Sequence, residues 1–163
     1  MKTIVCALVC LLWLAFAVPS CLASRVEVEA EAVAVLEAAM EAKDVRLLLR
    51  FPLPEEVKGR SVDFACISLV ADCASEKGMV SLQAFPVTTE WESESVAWDK
   101  SLGAFTVSEA GTGETLEFDV TEFVNGWLAE PEKNLGVVVK ASAPYWGTPA
   151  LSKGRLPKLT IVY

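Results

Sequence analysis

Any chemistry in this chain has to come from carboxylates, hydroxyls, cysteines or aromatic rings, because its 163 residues include 22 Asp and Glu but no histidine. The missing imidazole removes the commonest general base and the usual nucleophile–histidine triads. Two carboxylates flanking a glycosidic bond remain a formal route to hydrolysis. No spacing in the sequence selects such a pair, so the chain reads as non-catalytic. Calcium would need about six to eight converging oxygens. Asp63, Asp72, Asp99 and Asp119 are scattered, with no D-x-D-x-D run. Neither a metal nor a cofactor is expected.

Aromatic side chains carry the remaining recognition chemistry. Tyr145 and Trp146 lie in Ala143-Pro144-Tyr145-Trp146-Gly147-Thr148-Pro149, a Pro/Gly loop without strand period. Loops on a rigid scaffold collect binding residues, and adjacent rings there can stack on a sugar or dock a partner protein. These two are the candidate ligand-binding residues; the competing reading is that one ring folds back over the edge of the domain. Trp91, Trp98 and Trp127 are different. They stand among apolar neighbours at periodic spacing, which marks large aromatics as core. Glu94, between the first two, is read as a partner for backbone or an indole N–H.

The elements that would position these residues are mostly strands. Arg25 to Val35 alternates small or apolar residues with Glu, although Leu36 to Lys43 has helix propensity. Strands are expected at Val45 to Phe51, Ser61 to Ala71, Met79 to Val87, Leu135 to Ala141 and Lys158 to Tyr163. Ala104 to Ser108 and Thr115 to Val120 flank Gly111 and Gly113, a hairpin signal. One short helix follows, with Thr121 as N-cap and Val120, Phe123, Val124, Trp127 and Leu128 on one apolar face. The pattern predicts an all-β fold, a jelly-roll-like antiparallel β-sandwich with one short capping helix over an open end.

The N-terminus reads as a secretory signal. Lys2 precedes the apolar run Ile4 to Ala17, Pro19 and Ser20 break it, and Cys21-Leu22-Ala23 offers small residues for cleavage. Residues 1–23 are thus assigned to the signal peptide and 24–163 to a single domain, with no integral membrane segment after cleavage. The expected location is secreted, extracellular or periplasmic. Val18-Pro19-Ser20-Cys21 also faintly resembles a lipoprotein box, which would lipidate Cys21; ordinary cleavage is preferred, since proline is unusual there. Losing Lys2 moves the net charge from −8 to −9. That field disfavours nucleic acid and anionic polysaccharide, which need clustered Lys and Arg.

Two cysteines, Cys66 and Cys73, remain beyond the signal. Seven residues of extended chain span roughly 23 Å, whereas a disulfide needs Cα atoms within about 7 Å. A bridge therefore requires a sharp bend, and free, bridged and interchain states all stay open.

In order along the chain, several segments resemble one family. These are Arg46-Leu47-Leu48-Leu49-Arg50-Phe51, Phe64-Ala65-Cys66-Ile67-Ser68-Leu69, the W-x-x-E-x-V-x-W block from Trp91 to Trp98, Asp119-Val120-Thr121 with Trp127, Asn134 to Lys140, and Leu156 to Tyr163. From Val45 to Tyr163 the chain resembles the DNRLRE domain, a secreted jelly-roll module, while Ser24 to Asp44 matches it poorly. The resemblance implies a non-catalytic extracellular domain, some of whose relatives bind polysaccharides. The partner implied is a polysaccharide or a surface protein. A structural or adhesive role through an exposed strand edge is the alternative.

Overall fold

The computed structural model describes residues 23–37, 45–70, 78–91, 96–110, 115–141 and 155–163. Among these described residues nine strands run in the order β1 (Arg25–Glu29), β2 (Ala32–Glu37), β3 (Val45–Arg50), β4 (Phe64–Val70), β5 (Gly78–Pro86), β6 (Ala104–Ala110), β7 (Thr115–Asp119), β8 (Val137–Ala141) and β9 (Lys158–Val162). The helix α1 (Thr121–Ala129) joins β7 to β8, through a 3-10 turn at Pro131–Lys133.

The strands form because side chains two apart share a face and can be buried together. Ala65, Ile67 and Leu69 of β4, Leu116 and Phe118 of β7, and Leu159 and Ile161 of β9 point inward from one sheet. Leu47 and Leu49 of β3, Leu82 and Ala84 of β5, and Val137 and Val139 of β8 meet them from the other. Each fully buried Leu, Ile or Phe contributes about 1.5–3 kcal/mol through removal from water.

The four-stranded sheet has the order β1-β9-β4-β7, and the five-stranded sheet β2-β3-β8-β5-β6. Every neighbouring pair is antiparallel. With β2 set aside as an added edge strand, the two sheets have the strand order of a jelly roll. The predicted all-β sandwich with one capping helix is the observed fold.

Three local expectations change. The alternating run from Arg25 is two strands rather than one. At Ala30 the N–H bonds Pro157 O, and one residue later Glu31 N–H bonds Arg50 O, so the chain leaves one sheet for the other there. The helix propensity after Val35 does not prevail over Leu36 and Glu37, which pair with Arg46 and Val45. Finally, β6 and β7 do not form a ladder with each other. β6 pairs β5, β7 pairs β4, and the chain crosses between sheets where a hairpin was expected.

Helix α1 closes one end of the sandwich. Phe123, Val124 and Trp127 are its buried face, with Phe123 and Trp127 rings tilted 54° at 6.3 Å. The N-cap is Val120, one residue before the expected Thr121. Capping chemistry comes instead from Asp119, whose Oδ1 accepts from Thr121 N–H at 3.0 Å and from its hydroxyl at 2.6 Å. Asn125 bonds both the N–H and the carbonyl of Val62, and Asn134 Nδ2 donates to Phe51 O. The helix is thereby tied to the loop between β3 and β4.

Thr121 has a second duty, because its Oγ1 accepts from Ala65 N–H at 2.9 Å. Thr121→Val keeps the shape but leaves that part-buried donor without its acceptor. The expected loss is about 1–3 kcal/mol, read as a lower urea midpoint with unchanged slope.

Candidate functional site

The outer face of the five-stranded sheet holds a second apolar cluster. Leu48 and Val138 point outward yet are buried, beneath Val87 and Val96 and flanked by Trp91, Trp98, Phe85 and Leu135. Trp91 donates its indole N–H to Leu135 O at 2.7 Å. The Arg50 guanidinium lies 5.4 Å from the centre of the Trp91 ring, while Arg46 and Lys140 lie 5.1 Å and 5.5 Å from that of Trp98. Such contacts contribute about 0.5–2 kcal/mol each, and they engage ring faces that a sugar would need. Arg50 Nε is also 2.9 Å from Glu31 Oε1, an ion-pair distance without hydrogen-bond geometry. With both partners partly exposed, that pair adds little. Trp127 is 2% exposed. Trp127 is core, as its spacing suggested, whereas Trp91 and Trp98 are only half-buried and pack against the outer-face cluster.

The open aromatic surface is elsewhere, at the mouth of the sandwich beside α1. Alternation puts Ala65, Ile67 and Leu69 inside and therefore turns Phe64 out, at 43% exposure. Phe105 lies next to inward-facing Ala104 on β6 and is 60% exposed. The two rings line one groove of about 550 Å³, together with Asp63, Asp119, Thr121 and Glu122. A neighbouring groove of about 580 Å³ shares Glu122 and Phe123 with it and adds Asp99, Leu102, Glu130 and Lys133. Hydrogen bonds from the Ser101 hydroxyl and N–H hold the Asp99 carboxyl below its ordinary range. Lys133 is bound to Glu130 at 2.6 Å. The arrangement offers flat apolar faces beside hydrogen-bond acceptors.

Sequence reading missed Phe64 and Phe105. In the sequence Phe64 only opens a strand motif and Phe105 stands inside a strand run. The alternation that buries their neighbours was the signal that could have found them. Tyr145 and Trp146 lie outside the described residues, as do Glu94, Asp72, Cys73, Cys21 and the signal segment.

Cys66 is free and buried. Burial, with Glu117 nearby, pushes its thiol up to about 11, which makes it a poor nucleophile at neutral pH. Among the described residues no cluster of three or more Asp, Glu, Cys or His could hold a metal ion. No described helix is long and apolar enough to cross a membrane.

Strand order and packing define the class: a jelly-roll β-sandwich whose helix-capped end carries open grooves. Residues 29–149 match the model of carbohydrate-binding module family 96, and the chain belongs to that family. No curated protein matches the chain. The match begins at Glu29, so it takes in most of the N-terminal stretch that the motif comparison left outside. It stops short of β9, which nevertheless forms the middle of the four-stranded sheet.

Proposed function

We propose that this chain is a secreted, non-catalytic module of the DNRLRE type that binds carbohydrate through exposed aromatic side chains. The observation that carries the reading is the pair Phe64 and Phe105, two large exposed rings on one groove in a member of a carbohydrate-binding family. Exposed apolar rings cost solubility, and two of them lining one groove offer the flat apolar faces that a sugar ring can stack on. Stacking places the C–H face of a pyranose on each ring, while the neighbouring carboxylates accept from its hydroxyls. Tyr145 and Trp146 remain a second proposed contact.

A glycan array probed with the purified protein and two double variants tests both. Phe64→Ala with Phe105→Ala should lose tenfold or more of the retained signal, equivalent to about 1.4 kcal/mol. Tyr145→Ala with Trp146→Ala reports on the second contact in the same way. A folded protein that retains no glycan would overturn the reading. It would favour the surface-assembly alternative, for which β2 is the relevant feature: it is an edge strand with one side unpaired by the described residues.

A further inference from the structure

We infer that two copies of this chain associate by pairing their β1 edges antiparallel, which joins two four-stranded sheets into one of eight strands; this stands apart from the carbohydrate reading above. β1 ends its sheet, with β9 on one side and no described residue paired to the other. An open strand edge of this kind presents free N–H and C=O groups to a further strand. The sequence Arg25-Val26-Glu27-Val28-Glu29 turns its charged residues to the exposed outer face and packs both valines, half-buried, against the main core. The valines fix the register, because a slip of one residue would put them on the wrong face.

A second copy is the occupant that the charges fit. A two-fold pair centred on Glu27 sets Val26 opposite Val28 of the second copy and Arg25 opposite its Glu29, and symmetry makes that ion pair twice. Lys158 already lies across from Glu29 on β9, so the new pair completes a row of alternating sign over neighbouring strands. The one like-charged contact is Glu27 with its own copy. Each Glu27 is matched within its chain by Lys158 at 2.7 Å and Arg25 at 3.6 Å. The other described edges offer no such match. β7 exposes Glu117 and Asp119 without a cation, β6 carries Glu109 alone, and β2 has no charge from Ala32 to Leu36. β1 runs on into β2 through Ala30 and Glu31, where the chain changes sheet. The two open edges therefore share one side of the sandwich, and pairing of β1 brings the apolar β2 edges of both copies alongside each other.

Sedimentation velocity of the purified protein across a wide concentration range provides the test. The expected result is a monomer–dimer equilibrium that shifts with concentration. Arg25→Glu sets acid against acid and Glu29→Arg sets base against base, so each change should weaken the dimer about tenfold or more. An equimolar mixture of the two variants restores both opposite-charge pairs and should dimerise as the unaltered protein does. Arg25→Glu combined with Glu29→Arg restores them within one chain and should do the same. Recovery in the mixture cannot come from a change within either fold. Both substituted positions are exposed, and unaltered unfolding midpoints would establish that the variants fold. A monomer at every concentration would overturn the pairing. A dimer indifferent to both single reversals would exclude β1 as its edge, as would a mixture that fails to recover. None of these results bears on glycan retention, which the array measures separately.

Discussion

Gly136→Ala is expected to destabilise the domain by on the order of 3–4 kcal/mol, among the largest effects available to a single methyl group here. Gly136 has φ +93°, a conformation that penalises any side chain, and a Cβ built there falls 2.3 Å from Leu49 O. That oxygen belongs to the backbone of β3, which is paired on both sides by β2 and β8, so no rotamer change relieves the overlap. The Trp91 ring closes the other side at 3.1 Å. Gly136 O also accepts from Val87 N–H, which fixes the segment covering the outer sheet face. Moving Gly136 therefore disturbs β3, β8 and the tryptophan cover together. Urea unfolding followed by tryptophan fluorescence would measure the loss. Gly126→Ala is the control: it lies in α1 with open space around its Cα, and the change should be neutral or slightly stabilising. Similar midpoints for the two variants would contradict this account of Gly136.

Trp127→Ala should cost about 3–5 kcal/mol, the range for deleting a buried large aromatic. Trp127 is 2% exposed and belongs to the main core with Phe51, Val57, Val62, Phe118 and Phe123. It sits in the last turns of a nine-residue helix, too short to persist without the packing of that face. Removing the indole leaves a cavity and takes away much of what holds α1 against both sheets. Total stability of a domain is typically about 5–15 kcal/mol, so the variant should unfold at much lower urea. Trp127→Phe refills most of the volume and should recover more than half of the loss. An unchanged midpoint for Trp127→Ala would mean that α1 is an accessory rather than a structural plug.

Much of this architecture was readable from periodicity. The strands of the main core alternate cleanly, as in Thr115-Leu116-Glu117-Phe118-Asp119, and an apolar helix face at Phe123, Val124 and Trp127 needs only the 3.6-residue repeat. What local pattern does not contain is partner choice. Gly111 and Gly113 permit a tight reversal between two strand-like runs, but they do not say whether those runs pair with each other. Competition from β4 and β5 decides that, and it sends β7 and β6 into different sheets. The break at Ala30 is similar, since its cause is the distant Pro157 and the Arg50 carbonyl. Thr121 was one position out because Asp119 supplies the capping oxygen from outside the helix.

The site was harder to see for a related reason. Aromatic residues in a Pro/Gly-rich stretch, such as Tyr145 and Trp146, stand out in the sequence. A ring on a strand looks like core until the face it occupies is known. Phe64 and Phe105 come from different sheets and line one groove only because β4 and β6 both reach the mouth beside α1. Trp91 and Trp98 show the opposite case, in which basic residues of the sheet beneath engage the rings.

The two sheets share an arrangement that governs how the polypeptide matures. β8 lies between β3 and β5, and β9 lies between β1 and β4. β8 and β9, late in the described order, are thus interior members of the sheets, one in each. Until residue 162 has been synthesised, β1 has no neighbour and β4 lacks one of its two ladders. Such distant pairing makes folding slow, because long loops must close before contacts repay the lost entropy. Each sheet therefore stays incomplete until its late strand, β8 or β9, has been inserted between neighbours made earlier.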